Sequence, residues 1–293
     1  MSKLKEALEA GRFAVTGEIG PPKGIATADM EREIAHLKGC TVAVNVTDIQ
    51  SSVMRLGSLA VCARMVEQGV EPVFQVTCRD RNRLALQSDL LSAAWLGIEN
   101  VLCLTGDHVA LGDHPGAKPV FDLDSVSLLG AATGLEAGKD MAGNDLAGAP
   151  RFFKGCVVSP CSFPLEPQLV KLEKKIEAGA RFVQTQAVYE VSALAAFMDE
   201  LEKRKIKVPV MAGIVLLKSA GMAKFMNEHV AGVFVPDPLI AEMAAAPKED
   251  RKKKSAEIAA RLIREMKPLC QGIHMMPLGW TDIVPEVVKQ AGL

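Results

Sequence analysis

A repeat of 29 residues constrains this chain more than any other feature. Apolar runs end at Glu18, Thr47, Val76 and Thr105, and 29 residues separate each of these positions from the next. Residues 13–18, 42–46, 72–76 and 100–104 read as fully buried parallel strands, being short, mostly apolar and without solvent-facing alternation. Apolar residues at helical spacing lie between them. Met30, Ile34 and Leu37 follow the first strand, with Thr27 as a cap. Leu59, Ala63 and Val66 follow the second, and Leu84, Leu91 and Trp95 the third. One βα unit takes about 30 residues, so four units stand in phase.

Residues 109–150 break the phase. They read as a long loop over one end of the sheet, then a helix through Val126 and Leu129. Loops of this length in compact domains are commonly functional or mobile. Strand five spans 155–158, and its helix carries Leu169, Leu172 and Ile176 and stops at Gly179. Strand six spans 182–186, with Leu194, Phe197 and Leu201 on its helix. Strand seven spans 208–213, followed by a helix through Met222 and Phe225. An apolar segment at 230–235 precedes Pro236, and a charged helix then presents Ile258, Leu262 and Met266. Residues 272–276 form an eighth strand and 281–291 a closing helix. Eight strands with helical crossovers favour a closed (β/α)8 barrel over an open doubly wound sheet. The expectation is one α/β domain over 1–293, a TIM barrel with a loop insertion after strand four.

Composition removes several function classes. Hydrophobic residues make up 49% of the chain, enough for a large core. The formal net charge is −1, so no global field recruits nucleic acid or an anionic membrane. The basic run from Lys248 to Lys254 reads as a solvated helix start. Ten Phe, two Trp and one Tyr make an aromatic nucleic-acid platform improbable. Seven scattered cysteines without Cys-x-x-Cys suit small hydrophobes in a reducing cytoplasm, and no protein-ligated metal is expected. The first residues read as an amphipathic helix start, not a signal peptide. No apolar run is long enough to span a membrane. A P-loop, a Gly-x-Gly-x-x-Gly after a strand and Gly-x-Ser-x-Gly are all absent.

Chemistry is then sought at the C-terminal strand ends, where barrels place it. Glu18 ends strand one, and a carboxylate in a barrel mouth can serve as a general acid. Thr105, Gly106, Asp107 and His108 put a turn, a carboxylate and an imidazole after strand four. Gln184 and Gln186 share a face of strand six, where one such amide could read a heterocycle edge, the alternative being a polar layer inside the barrel. His274, alone in its strand, reads as a hydrogen-bonded core residue.

The ordered strand ends are Glu18-Ile-Gly-Pro-Pro, Val46-Thr47, Val76-Thr77-Cys78, Leu104-Thr105-Gly106-Asp107, Lys175-Ile-Glu-Ala-Gly-Ala, Thr185-Gln186, Ala212-Gly213-Ile214 and the Gly-Ile-His strand at 272–274. As a set, running over almost the whole chain, they resemble the methylenetetrahydrofolate reductase family in its short bacterial form. Gly-Asp-His at 106–108, Phe-Asp-Leu-Asp-Ser at 121–125 and His-Met-Met-Pro-Leu-Gly at 274–279 look like the branch of acetogens and other anaerobes, which implies the Wood–Ljungdahl pathway. The resemblance implies a flavin (FAD, with FMN the alternative) that passes hydride to 5,10-methylenetetrahydrofolate. It implies Glu18 as the acid and Asp107 as the carboxylate near flavin and pterin. Gln186 falls at the folate-binding glutamine. Thr47, Thr105, Gly106, Asp107, His108 and Lys175 fall where flavin contacts are expected, with Lys175 opposite a phosphate.

Some positions depart from the pattern. Gln75 stands where NAD(P)H-using members carry His. Met222 and Met226 stand where they carry Gln and Phe, and Ala187-Val188-Tyr189 replaces a Phe run. Gln75 and Met222 are still expected to border the substrate. The electron donor is NAD(P)H or a smaller iron–sulfur and zinc partner subunit, and an oligomer is expected. Two rivals remain: a flavin-free pterin-binding barrel, methyltransferase-like or a lyase, and a non-catalytic electron-relay subunit.

Overall fold

The computed structural model describes residues 2–293. Its regular elements begin with α1 (Lys3–Glu9), β1 (Ala14–Ile19), α2 (Ala28–Leu37), β2 (Ala43–Val46), α3 (Ser58–Glu67), β3 (Pro72–Thr77), α4 (Arg83–Trp95) and β4 (Asn100–Leu104). They continue with α5 (Ser125–Glu136), β5 (Phe153–Val158), α6 (Glu166–Glu177), β6 (Phe182–Ala187), α7 (Val191–Lys203) and β7 (Val210–Val215). The chain ends through α8 (Ala220–His229), α9 (Asp237–Ala245), α10 (Arg251–Met266), β8 (Gly272–Met276) and α11 (Val284–Gln290). Neighbouring strands pair in sequence order, all parallel, and β8 returns to β1. The (β/α)8 barrel expected from the phase is the fold the chain adopts. Among the described residues no helix is long and apolar enough to cross a membrane.

Alternation along the strands builds the barrel interior in layers. The lowest is apolar: Ala14, Ala43, Val73, Leu102, Phe153, Phe182 and Met211 cluster with Leu4, Ala7 and Leu8. Helix α1 therefore plugs the N-terminal end. Glu71 holds the plug by accepting the N–H groups of Lys3 at 2.7 Å and Leu4 at 3.0 Å. First-turn donors lack partners inside a helix, so this carboxylate satisfies two of them.

The middle layer is polar and buried: Thr16, Asn45, Gln184 and His274. Asn45 donates to Gln184 Oε1 at 2.8 Å, and Gln184 Nε2 donates to Asn45 Oδ1 at 3.1 Å and to Thr16 Oγ1 at 3.2 Å. Thr16 Oγ1 lies 3.0 Å from His274 Nδ1. Buried polar groups require partners, and this layer supplies its own. Gln184 takes the interior polar role that was the alternative for its strand face, and His274 the core role expected of it. Outward residues such as Val15, Val44, Phe74, Val101 and Ile273 join the helices in the larger apolar cluster.

Several local expectations need correction. Strand seven runs to Val215, two residues past Gly213. Gly213 is not a strand end. A side chain there would meet the Thr185 carbonyl where the β6–β7 register shifts. Thr27 occupies the N-cap of α2 but makes no side-chain capping bond. In α3 the buried face is Val61, Cys62 and Met65, one step round from the face expected. In α8 the buried residues are Ala223 and Met226, while Phe225 is exposed.

Helix α4 departs most. Leu84 and Trp95, expected inside, are 74% and 86% exposed, and the helix buries Leu86, Leu90 and Ala93 instead. Both triplets fit helical spacing, and the roll of the helix on the sheet decides between them. The residues that break the 29-residue phase divide between two connections. Residues 105–124 join β4 to α5 at the C-terminal end, and 137–152 join α5 to β5 at the other.

The burial of α4 makes a direct prediction. Leu90→Ala should lower stability by about 2–5 kcal/mol, as buried Leu truncations do, and Trp95→Ala by no more than about 0.5 kcal/mol. Urea unfolding monitored by circular dichroism checks both; the reverse ranking would contradict the packing described.

Candidate active site

A cavity of about 440 Å³ opens at the C-terminal end of the barrel. Glu18, Thr47, Gln75, Thr105, Gly106, Asp107, Lys175 and Gln186 all line it. These come from the ends of β1 to β4, from α6 and from β6, so residues up to 168 positions apart in sequence share one space. His108 and Met222 do not line it. The His108 ring is exposed beside Phe121 at 6.2 Å, and its Nδ1 accepts the Ala110 N–H at 3.2 Å. Met222 sits in the first turn of α8, where its N–H is bonded by Ser219 Oγ at 3.1 Å.

Glu18 stands directly above the polar layer, its side chain about 10% exposed. One oxygen, Oε2, accepts Gln75 Nε2 at 2.9 Å and lies 3.4 Å from His274 Nε2. His274 thus bridges Glu18 and Thr16. A carboxyl anchored through one oxygen at the cavity wall can exchange a proton with a bound molecule without changing its own position.

Asp107 reaches the cavity from the loop after β4, and that loop is clamped. Arg79, 1% exposed, forms a bidentate pair with Asp80 and donates to the carbonyls of Ile49 at 3.1 Å and Asp107 at 3.4 Å. Ser52 Oγ donates to the carbonyl of His108 at 3.1 Å. Gly106 packs into the same joint with φ +91°, and a Cβ there would lie 3.0 Å from Thr77 Cβ. The backbone conformation and the close approach both demand glycine.

Asp48 braces the loops from beneath. Its Oδ2 accepts the Thr77 N–H at 2.8 Å and Thr77 Oγ1 at 2.9 Å, and it also pairs with the Arg81 guanidinium. Asp48, Arg79, Arg81 and Lys171 were not among the residues expected in the site. The signal was present for two of them: Arg79 and Arg81 belong to the polar run that ends strand three.

Two features of the wall are suited to a ligand. Thr47 Oγ1 is buried with no hydrogen-bond partner among the described residues. Lys171 and Lys175 bring ammonium groups to the α6 side. Burial pushes the Lys175 ammonium below its ordinary range, and its Nζ donates to the Val157 carbonyl at 2.6 Å. An anion arriving there would add a strong charge-assisted partner.

A family model described as methylenetetrahydrofolate reductase matches residues 3–292. The chain is 26% identical over 266 residues to 5,10-methylenetetrahydrofolate reductase of Salmonella typhimurium, covering 87% of this chain and 82% of that protein. It is 25% identical over 246 residues to methylenetetrahydrofolate reductase 2 of Schizosaccharomyces pombe, covering 79% of this chain and 37% of that protein. The chain spans about a third to a half of the length of the eukaryotic relatives it matches. Among solved structures, a Clostridium thermocellum protein described as binding two copies of 5-methyl-5,6,7,8-tetrahydrofolic acid shares the fold. Its TM-score is 0.64 at 16% identity, over 99% of this chain and 98% of that one.

The Asp48 brace yields a prediction. Asp48→Ala leaves the Thr77 N–H and the Arg81 guanidinium without their carboxylate, and should cost about 3 kcal/mol of stability. Chemical denaturation measures it; a loss under about 1 kcal/mol would show that the brace contributes little.

Proposed function

The chain belongs to the methylenetetrahydrofolate reductase family, and from that premise we propose that it is a flavin-dependent reductase converting 5,10-methylenetetrahydrofolate to 5-methyltetrahydrofolate, with Glu18 as general acid. The observation that carries this reading is the convergence of Glu18, Gln75, Asp107 and Gln186 on one cavity, with the Glu18 carboxyl held by Gln75 and His274. Short bacterial relatives of matching length support it.

The cavity wall suits a flavin. The partnerless Thr47 hydroxyl offers a hydrogen bond, Gly106 permits close approach of a flat ring, and Lys171 and Lys175 suit a phosphate. Thr47, Thr105, Gly106 and Lys175 would hold the group, with Asp107 beside it, while His108, outside the cavity, is left out of the flavin set. Bound there, FAD or FMN would supply the hydride, from N5 to the methylene carbon.

The protein's own part is proton transfer and orientation. The imidazolidine ring opens when a carbon–nitrogen bond breaks, and the departing nitrogen takes a proton from Glu18. Asp107 favours the resulting iminium cation electrostatically. Gln186 and Gln75 offer amides to the pterin, while Met222, outside the cavity, is left out of the substrate set. Reducing equivalents come from NAD(P)H or from an iron–sulfur partner subunit. The seven free thiols suit work in the cytoplasm.

Glu18→Gln should retain the bound flavin and its visible bands while slowing the folate half-reaction at least about 100-fold, the range for loss of a general acid. Anaerobic stopped-flow of the reduced protein with methylenetetrahydrofolate reads this directly. Oxidation at the parent rate would remove Glu18 from the role. Asp107→Asn should slow the same step with flavin still bound; unchanged kinetics would remove Asp107.

A further inference from the structure

A second, polar cavity lies behind Glu18. It measures about 300 Å³ and is bordered by Glu18, Glu33, Gln50, Arg55 and Gly279. Glu18 and Gln50 border the first cavity as well, so the two spaces meet at the Glu18 side chain. Arg55 donates through NH1 to the Pro21 carbonyl at 3.1 Å, while its Nε is buried with no partner among the described residues. A space of this size has room for several waters at about 30 Å³ each, and its polar wall gives them partners.

Glu33 is a second carboxyl bordering this space. It projects from α2 and is half-buried. Burial and the neighbouring Asp29 carboxylate raise its pKa, against the opposing charges of His36 and Lys218. Arg55 and Glu18, the latter backed by His274, border the same cavity.

The reduction described above consumes one proton per turnover, taken from Glu18. The carboxylate left behind must regain a proton before the next turnover. We propose that Glu33 is the relay residue that recharges Glu18 through water in the second cavity. The proton leaves the Glu33 carboxyl, passes along the water to the Glu18 carboxylate, and Glu33 takes another from bulk solvent. Glu33 touches neither substrate nor flavin and acts only through Glu18, so the inference rests on the assignment of Glu18 as the acid.

The test separates the first turnover from continued turnover. Reduced protein mixed once with methylenetetrahydrofolate should oxidise within twofold of the parent rate in E33Q, because Glu33 acts only after the first proton transfer. Steady-state turnover, with NADH or reduced viologen as electron source, should fall at least fivefold. Imidazolium added as a small diffusible acid should restore it in proportion to concentration, and E33D, which keeps the carboxyl, should retain most of the parent rate. An unchanged steady state in E33Q would overturn the relay. So would equal losses in both regimes without rescue, which is the signature of a structural role. Failure of the underlying assignment reads differently: E18Q would then complete the first turnover at the parent rate.

Discussion

One shared oxygen organises the upper half of this barrel. Glu18 Oε2 is held by Gln75 and faces His274, and through His274 it connects to Thr16, Gln184 and Asn45 across the barrel axis. Polar groups placed at the centre of a closed sheet have no access to bulk water, so each must find a partner from another strand. That requirement sets the side-chain orientations of β1, β2, β6 and β8 together. Below the layer, α1 and the apolar plug seal the barrel. Above it, the Glu18 carboxyl stands between two cavities.

The loops around that carboxyl depend on two further buried charges. Arg79 ties the carbonyls after β2 and β4 to one guanidinium, and Asp48 ties the end of β3 to Arg81. Neither group needs to contact a ligand to matter. Together they fix the spacing of three strand ends, and Asp107 and Gly106 take their positions from that spacing. In barrels the chemistry resides in such loops while the strands supply rigidity.

Much of the fold was legible in the sequence, for a physical reason. Strands covered on both faces must be apolar runs, and a fixed crossover length puts their ends in phase, so the closed barrel followed from three equal intervals and the strands after them. Strand eight was legible to the residue at Gly272–Met276. Helix faces were less legible. Leu84, Leu91 and Trp95 on α4 fit a helical face as Leu86, Leu90 and Ala93 do, and only contact with the sheet distinguishes them. Most candidate site residues were legible because they stand at strand ends. Their partners were not: Thr16 and His274 lie 258 residues apart, and nothing local announces that they meet. Asp48 and Arg79 escaped notice because an acidic or basic residue after a strand reads as ordinary turn chemistry.

The central claim is that this cavity brings a flavin and a reduced folate together above Glu18. The most direct measurement is the visible absorption spectrum of the purified protein before and after anaerobic addition of 5-methyltetrahydrofolate. The account predicts flavin bands that bleach on addition, because the half-reaction runs in reverse and leaves the flavin reduced. A colourless protein that takes up neither FAD nor FMN would contradict it and would favour a flavin-free pterin-binding barrel.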